Sequence, residues 1–375
     1  MNPQVQDLDH STLAPMVRRV LARDDAELIR WDCHTFSSLL GPAALSTVHR
    51  LRGTARVDGA AHPWSLILKI LKRPAGAAAL PGWDREILAF RSGLLDDLPV
   101  GLAAPRCYAI EEQPEAIWIW MEDVNEEGEV RWPVARFALA ARHLGRFSGR
   151  SLVAGPLPDV PWLSRGVLRS RADRNAAFWE GRVPVPDLAL RDRIFPDELL
   201  ERARRVWDER HRLLDALDRL PRTLIHGDAD RRNLFARQHP DGGEETAAID
   251  WAWIGVGALG EDLVNLVGAS TLWFQSDPRD LPALAEACLE GFAAGLADAG
   301  WAGDPRLARI GCAIGTALAC GPCGPFAMML QHPEMGRAVA RSSGHELEEL
   351  ADRIASVQRF AYDQLAAVRG DLVRI

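Results

Sequence analysis

A short β-rich island, residues 224–250, is set into a sequence that otherwise reads as helix from about residue 124 onward. Asp241-Gly242-Gly243 is a turn signal that splits the island into a hairpin. Around it, residues 134–152, 197–219, 281–299, 305–319 and 344–370 carry apolar side chains at the spacing of amphipathic helices. Before residue 121 the texture changes. Strand-like runs fall at 29–36, 46–57, 64–71, 106–110 and 116–121, and one helical pattern, 84–95, divides them. The expectation is an α+β chain, with a small β lobe followed by a larger, mostly helical lobe whose hairpin island carries acids. Residues 1–28 read as a helical extension packed on the small lobe, with no assigned role.

The island contains Ile225-His226-Gly227-Asp228-Ala229-Asp230-Arg231-Arg232-Asn233-Leu234. Phosphoryl transfer needs a carboxylate that orients the attacking hydroxyl or accepts its proton, and an oxygen ligand for Mg2+ close by. Asp228 and Asn233 are five positions apart, the interval between Asp and Asn in the kinase catalytic loop. Gly227 permits a tight turn just before the acid. After the hairpin, Ala247-Ala248-Ile249-Asp250-Trp251 puts a second acid at the end of a short apolar strand. Mg2+ takes one or two carboxylates plus phosphate oxygens and waters, so Asp250 with Asn233 would suffice. Lys69 lies inside an apolar strand pattern, where an unpaired charge is costly, and so requires a partner.

His-Gly-Asp-x-x-x-x-Asn followed by Ile-Asp-Trp resembles the aminoglycoside phosphotransferase family, a branch of the protein kinase-like superfamily that also contains choline, homoserine and fructosamine kinases. The resemblance covers about residues 29–300 and is most specific from 224 to 263. It implies a two-lobed fold with a small antiparallel β lobe. The expected boundaries are 1–121 for the nucleotide-binding lobe, 122–126 for a hinge and 127–375 for the helical lobe. It further implies that Lys69 binds phosphate, that Glu86 holds Lys69, and that the Glu122 carbonyl and Val124 N–H face the adenine. Asp262, in a Gly-x-x-x-x-Asp-Leu segment, would support the catalytic loop. His226 reads from the residues themselves as a hydrogen-bonding residue rather than a base, since the acid beside it already fills that role. ATP and Mg2+ are the implied cofactors, with GTP left open.

Two departures stand out. The segment expected to cover the phosphates, 37–45, has a single glycine, Gly41, so the hydroxyls of Ser37 or Ser38 would have to replace backbone contacts. Asp230 stands where many relatives have His, and could bind a cationic substrate or raise the pKa of Asp228. Glu261 and Glu286 are further acidic candidates for the substrate side.

The function expected on these grounds is transfer of the ATP γ-phosphoryl group to a hydroxyl of an aminoglycoside or other antibiotic-like small molecule. A metabolic kinase for choline, homoserine or a sugar is the alternative. A non-catalytic nucleotide-binding module is weaker, because it has no chemical need for Asp228, Asn233, Asp250 and Lys69 together. A net charge of −8 without a basic stripe points away from nucleic acid. No run approaches the length of a membrane helix, and six cysteines in 375 residues fit a reducing, cytoplasmic setting. Cys320-Gly321-Pro322-Cys323 has redox-motif spacing but lacks the strand–turn–helix context of such motifs, and reads as structural.

Overall fold

The computed structural model describes residues 8–36, 46–74, 82–129, 131–239 and 241–372. The segment expected to cover the phosphates, with Ser37 and Ser38, lies outside these residues. Two compact units are present: Met1–Asp96 with Ala104–Asn125, and Asp97–Ala103 with Glu126–Ile375.

In the first unit, helix α1 (His10–Leu21) precedes strands β1 (Glu27–Phe36), β2 (Ser46–Val57) and β3 (Ala60–Lys72). Helix α2 (Arg85–Arg91) follows. The two-residue strand β4 (Leu102–Ala103) comes next in the chain, ahead of β5 (Cys107–Glu112) and β6 (Ala116–Glu122). The five long strands form one antiparallel sheet in the order β1-β2-β3-β6-β5. β3 therefore lies in the middle and is covered on both faces, which is why residues 64–71 read as almost continuously apolar.

Alternation along β3 and β6 sorts their side chains into two layers. Trp64, Leu66, Leu68 and Ile70 join Ala116, Trp118 and Trp120 against Leu13, Met16 and Val17 of α1. The role left open for the N-terminal helix is thus to seal one face of the sheet. Its start is fixed by Asp9, whose carboxylate accepts a hydrogen bond from the Thr12 N–H. Ile67 and Leu71 face the other way, with Ile117, Ile119 and Met121, against Ile87 of α2. Lys69 has the parity of Ile67 and Leu71, so the strand delivers it to the α2 side. α2 is shorter than its apolar pattern, because Gly93 takes a left-handed conformation (φ 76°) two residues after it ends.

The second unit is mostly helical. Two three-stranded sheets sit within it: β4 beside the hairpin of β9 (Leu234–Gln238) and β10 (Glu244–Ala248), and β7 (Ser164–Arg165) beside β11 (Gly255–Ala258) and β8 (Arg222–Ile225). The hairpin expected around Asp241-Gly242-Gly243 is present, with Glu244 opposite Gln238 and Ala248 opposite Leu234. The helix from Val134 to Val153 crosses the helix from Leu281 to Asp298 closely enough that a side chain at Gly145 would strike the Phe292 carbonyl.

The single helix expected at 197–219 is two, Asp197–Asp208 and Arg210–Arg219. Among the described residues, four α-helices longer than one turn, Val167–Trp179, Leu188–Ile194, Phe326–Gln331 and Pro333–Ser342, fall where no pattern marked them. The first of these buries only Leu168 and Ala172, too few apolar positions to show a period. Among the described residues no helix is long and apolar enough to cross a membrane.

Candidate active site

Strand β8 ends at Ile225 and the chain turns at once through His226-Gly227-Asp228. Gly227 has φ 81°, and a Cβ there would run into the Trp253 carbonyl oxygen, so the turn requires glycine on two counts. Asp262 holds the turn from behind. Its two carboxylate oxygens accept the N–H groups of His226 (3.0 Å) and Gly227 (2.9 Å). Burial pushes the Asp262 carboxyl up to about 7, against the opposing pull of those two N–H groups. Asn265 adds a third tie, its side-chain amide donating to the Gly227 carbonyl at 2.9 Å.

His226 is fully buried, and burial lowers its pKa to about 4, so its ring is neutral. Its Nδ1 accepts the Asp228 N–H (3.2 Å), which places the ring proton on Nε2. Nε2 then donates to the Ile249 carbonyl (3.0 Å). The ring also lies 4.5 Å from that of Trp251. One imidazole therefore fastens the loop of Asp228 to the strand end that carries Asp250, and its bonds run to backbone groups.

Asn233 closes the loop on Asp228. Its amide nitrogen donates to the Asp228 carbonyl (2.9 Å) and to Asp228 Oδ2 (3.0 Å). With the nitrogen engaged twice, the Asn233 amide oxygen is the end left to accept or ligate. Asp250 follows β10, and the Ile249 N–H donates to the Asn233 carbonyl at 2.8 Å. That backbone bond sets the end of the hairpin directly against the end of the Asp228–Asn233 loop. Asp250 itself takes a left-handed conformation (φ 60°), which Asp tolerates better than most side chains.

The electrostatics of the loop follow from its acids. Asp228 keeps part of its surface accessible, yet the protein packed around it raises its pKa to about 7, with further contributions from the charges of Asp230 and Asp250. Arg232 and Arg171 pull the other way. Asp230 is fully buried, caps the turn Arg231–Asn233 through the Arg232 N–H (2.8 Å) and pairs with the Arg232 guanidinium (2.7 Å). Its charge is answered inside the protein and is not presented to a ligand. Glu286 is likewise paired, with Arg309 at 2.6 Å. Glu261 alone of the three acidic candidates lines a recess beside Gly227; one oxygen accepts the Ala258 N–H (2.8 Å), and burial raises its pKa.

The Asn233 amide oxygen and the Asp250 carboxylate are hard oxygen donors on adjoining segments, a donor set that fits a divalent cation such as Mg2+. In the first unit, Lys69 Nζ lies 2.5 Å from Glu86 Oε2, with both side chains buried. The partner that Lys69 requires is thus the acid expected from the sequence. Glu122 bonds to Arg106 through both its N–H (2.9 Å) and its carboxylate (3.0 Å), prolonging the β5–β6 ladder, and Val124 is buried. Between them Asp123 pairs with Arg50 at 3.0 Å. Cys320 and Cys323 are buried free thiols whose pKa burial raises to about 12, which leaves them unreactive. Asn265 and Arg171, both beside the loop, carried no motif that a single sequence could reveal.

A family model described as the phosphotransferase enzyme family, APH, matches residues 51–304. No curated protein sequence matches the chain. Solved structures that resemble it include a choline kinase from Cryptosporidium parvum Iowa II, with TM-score 0.54 and 12% identity over 97% of this chain and 96% of that one. Another is amicoumacin kinase hAmiN in complex with AMP-PNP, Ca2+ and Ami, with TM-score 0.53 and 16% identity over 97% and 100% of the two chains. A GDP complex of an aminoglycoside 2'-phosphotransferase-IIIa gives 0.52 and 14% over 97% and 100%. At these identities the likeness is one of fold, the α+β kinase-like architecture.

Proposed function

This chain belongs to the phosphotransferase enzyme family, and from that premise we propose that it transfers the γ-phosphoryl group of ATP, with Mg2+, to a hydroxyl of a small molecule. The observation that carries this reading is the clamp on Asp228: Asn233 holds its carboxylate in front, while Asp262 and Gly227 fix the turn behind it. A carboxyl with pKa about 7 can orient a hydroxyl and take up its proton near neutral pH. Lys69, kept in place by Glu86, would meet the α- and β-phosphates, and the backbone at Glu122 and Val124 would meet the adenine. Mg2+, held by Asp250 and the Asn233 amide oxygen, would neutralise charge on the phosphates when bound. Most of the rate enhancement would come from positioning and charge stabilisation, because this chemistry leaves the protein little covalent work.

The acceptor reading turns on where the acids are. A polycationic antibiotic would be served by exposed carboxylates, but Asp230 and Glu286 are engaged by Arg232 and Arg309. That pairing favours a small metabolic acceptor over an aminoglycoside. ADP release measured against aminoglycosides, amino alcohols, sugars and hydroxylated amino acids tests both points, with Asp228→Asn as control. An acceptor-dependent signal lost in the variant is expected. Wild-type turnover in Asp228→Asn would end the mechanism.

A further inference from the structure

The helix Val167–Trp179 places Arg171 on the wall of a recess that also touches Gly227 of the catalytic loop. Ile225, Glu261, Val264 and Asn265 line the rest of it, and all of these residues belong to the second unit. Arg171 is half-buried and makes no hydrogen bond or ion pair with any described residue. Its neighbours differ. Arg169 is engaged by Asp215 and Asp218, and Arg222 by the Val256 carbonyl and Asp218. The Arg171 charge acts on the carboxylates of Glu261 and Asp228 without an ion pair to either, so its N–H donors are left for an anion that could take them up in charge-assisted hydrogen bonds.

Two further observations bear on the size of that anion and on where it would lie. The recess is narrow, with a cavity volume of about 30 Å³, so a single small group is what would enter it. The recess touches Gly227, the residue just before Asp228, and the Arg171 charge helps to hold the Asp228 pKa down, so a group bound to Arg171 lies near the residue that would receive the hydroxyl proton.

We propose that Arg171 binds a carboxylate of the phosphate acceptor, so that the substrate is a small hydroxy acid or hydroxylated amino acid. The proposal rests on the phosphotransferase reading above and narrows its acceptor. The planar fork of arginine matches a carboxylate through two parallel hydrogen bonds, which an amino alcohol lacking that group cannot make. Arg171 is then a specificity-determining residue that acts on acceptor binding.

Matched pairs that differ by one carboxylate provide the test: homoserine against 3-aminopropanol, serine against ethanolamine, and glycerate against ethylene glycol. ADP release is measured with ATP and Mg2+ on the full chain, for wild type, Arg171→Gln and Arg171→Lys, each checked for folding by its thermal transition. The carboxylated member of at least one pair should be favoured by roughly 10- to 100-fold in kcat/KM, mainly through KM. Arg171→Gln should abolish that preference and Arg171→Lys should restore part of it. Equal turnover of both members in every pair, or turnover of neither, overturns the proposal, as does a preference that Arg171→Gln leaves intact. Turnover of amino alcohols or aminoglycosides that is lost in Asp228→Asn but indifferent to Arg171 would overturn it while the phosphotransferase reading stands. ADP release indifferent to both acceptor and Asp228→Asn would remove the reading itself.

Discussion

The side-chain amide of Asn233 donates twice to Asp228, to the backbone carbonyl at 2.9 Å and to Oδ2 at 3.0 Å. The two bonds orient the carboxylate and direct the amide oxygen away from it. Asn233→Ala removes both functions at once and should lower kcat by about 10²- to 10⁴-fold, the range for losing a positioned acid–base group. Asn233→Asp keeps an oxygen ligand but sets a like charge against Asp228, which should move the acidic limb of the pH profile upward. Steady-state kinetics across pH separate the two; an Asn233→Ala enzyme with wild-type kcat would exclude the clamp.

Asp230 makes a second pH prediction. In the proposed mechanism Asp228 works ionised, so kcat/KM should climb as pH rises through the pKa of Asp228 and then level off. Asp230 raises that pKa, whereas Arg232 lowers it. Asp230→Asn removes an acid and releases Arg232 from its pair. Both changes favour ionised Asp228, and the limb should shift to lower pH. A limb that does not move would mean that another group titrates.

How much of this could be read in advance depended on whether the signal was local. β3 was legible because both of its faces are buried, and the hairpin because its turn and flanking strands are contiguous. That Asp228, Asn233 and Asp250 come together was legible because they lie on one loop and on the hairpin that directly follows it. The engagement of Asp230 was harder to see, although its partner Arg232 is only two residues away, because a buried pair and a substrate-facing acid have the same sequence. The helix that carries Arg171 left no trace, since it buries only two side chains and is held by tertiary contacts. α1 was visible as a helix, but the face it covers depends on the alternation of β3 and β6.

Stability should move against activity at Asp228. Its pKa in the folded protein, about 7, lies above the ordinary value of 3.8, so folding favours the protonated form. That contribution is fully present below about pH 4 and is lost as pH rises through about 7. Asp228→Asn is neutral at every pH and escapes the loss. Without metal or nucleotide, its Tm should exceed that of wild type by roughly 1–4 °C at pH 8, with a smaller gap at pH 5. A gap of the same size at both values would show that the ionised carboxylate carries no burial cost.

Lys69 and Glu86 test the nucleotide half of the reading without any acceptor. Their ion pair is 2.5 Å long, with side chains only 9% and 2% exposed, so two buried charges offset one another. Glu86→Leu removes the carboxylate that faces a buried ammonium and should destabilise the protein by about 3–5 kcal/mol, and Lys69→Met should have a similar effect by removing the cation that faces the carboxylate. The double variant leaves neither charge and should regain most of the lost stability, because apolar side chains of similar size can replace a buried pair. Nucleotide affinity should behave differently. A lysine that meets the phosphates is missing from both Lys69→Met and the double variant, so binding should stay weak in each while stability recovers only in the second. Urea unfolding midpoints and titration with a non-hydrolysable ATP analogue give the two readouts on the same samples. Recovery of affinity together with stability would show that the pair serves the fold alone.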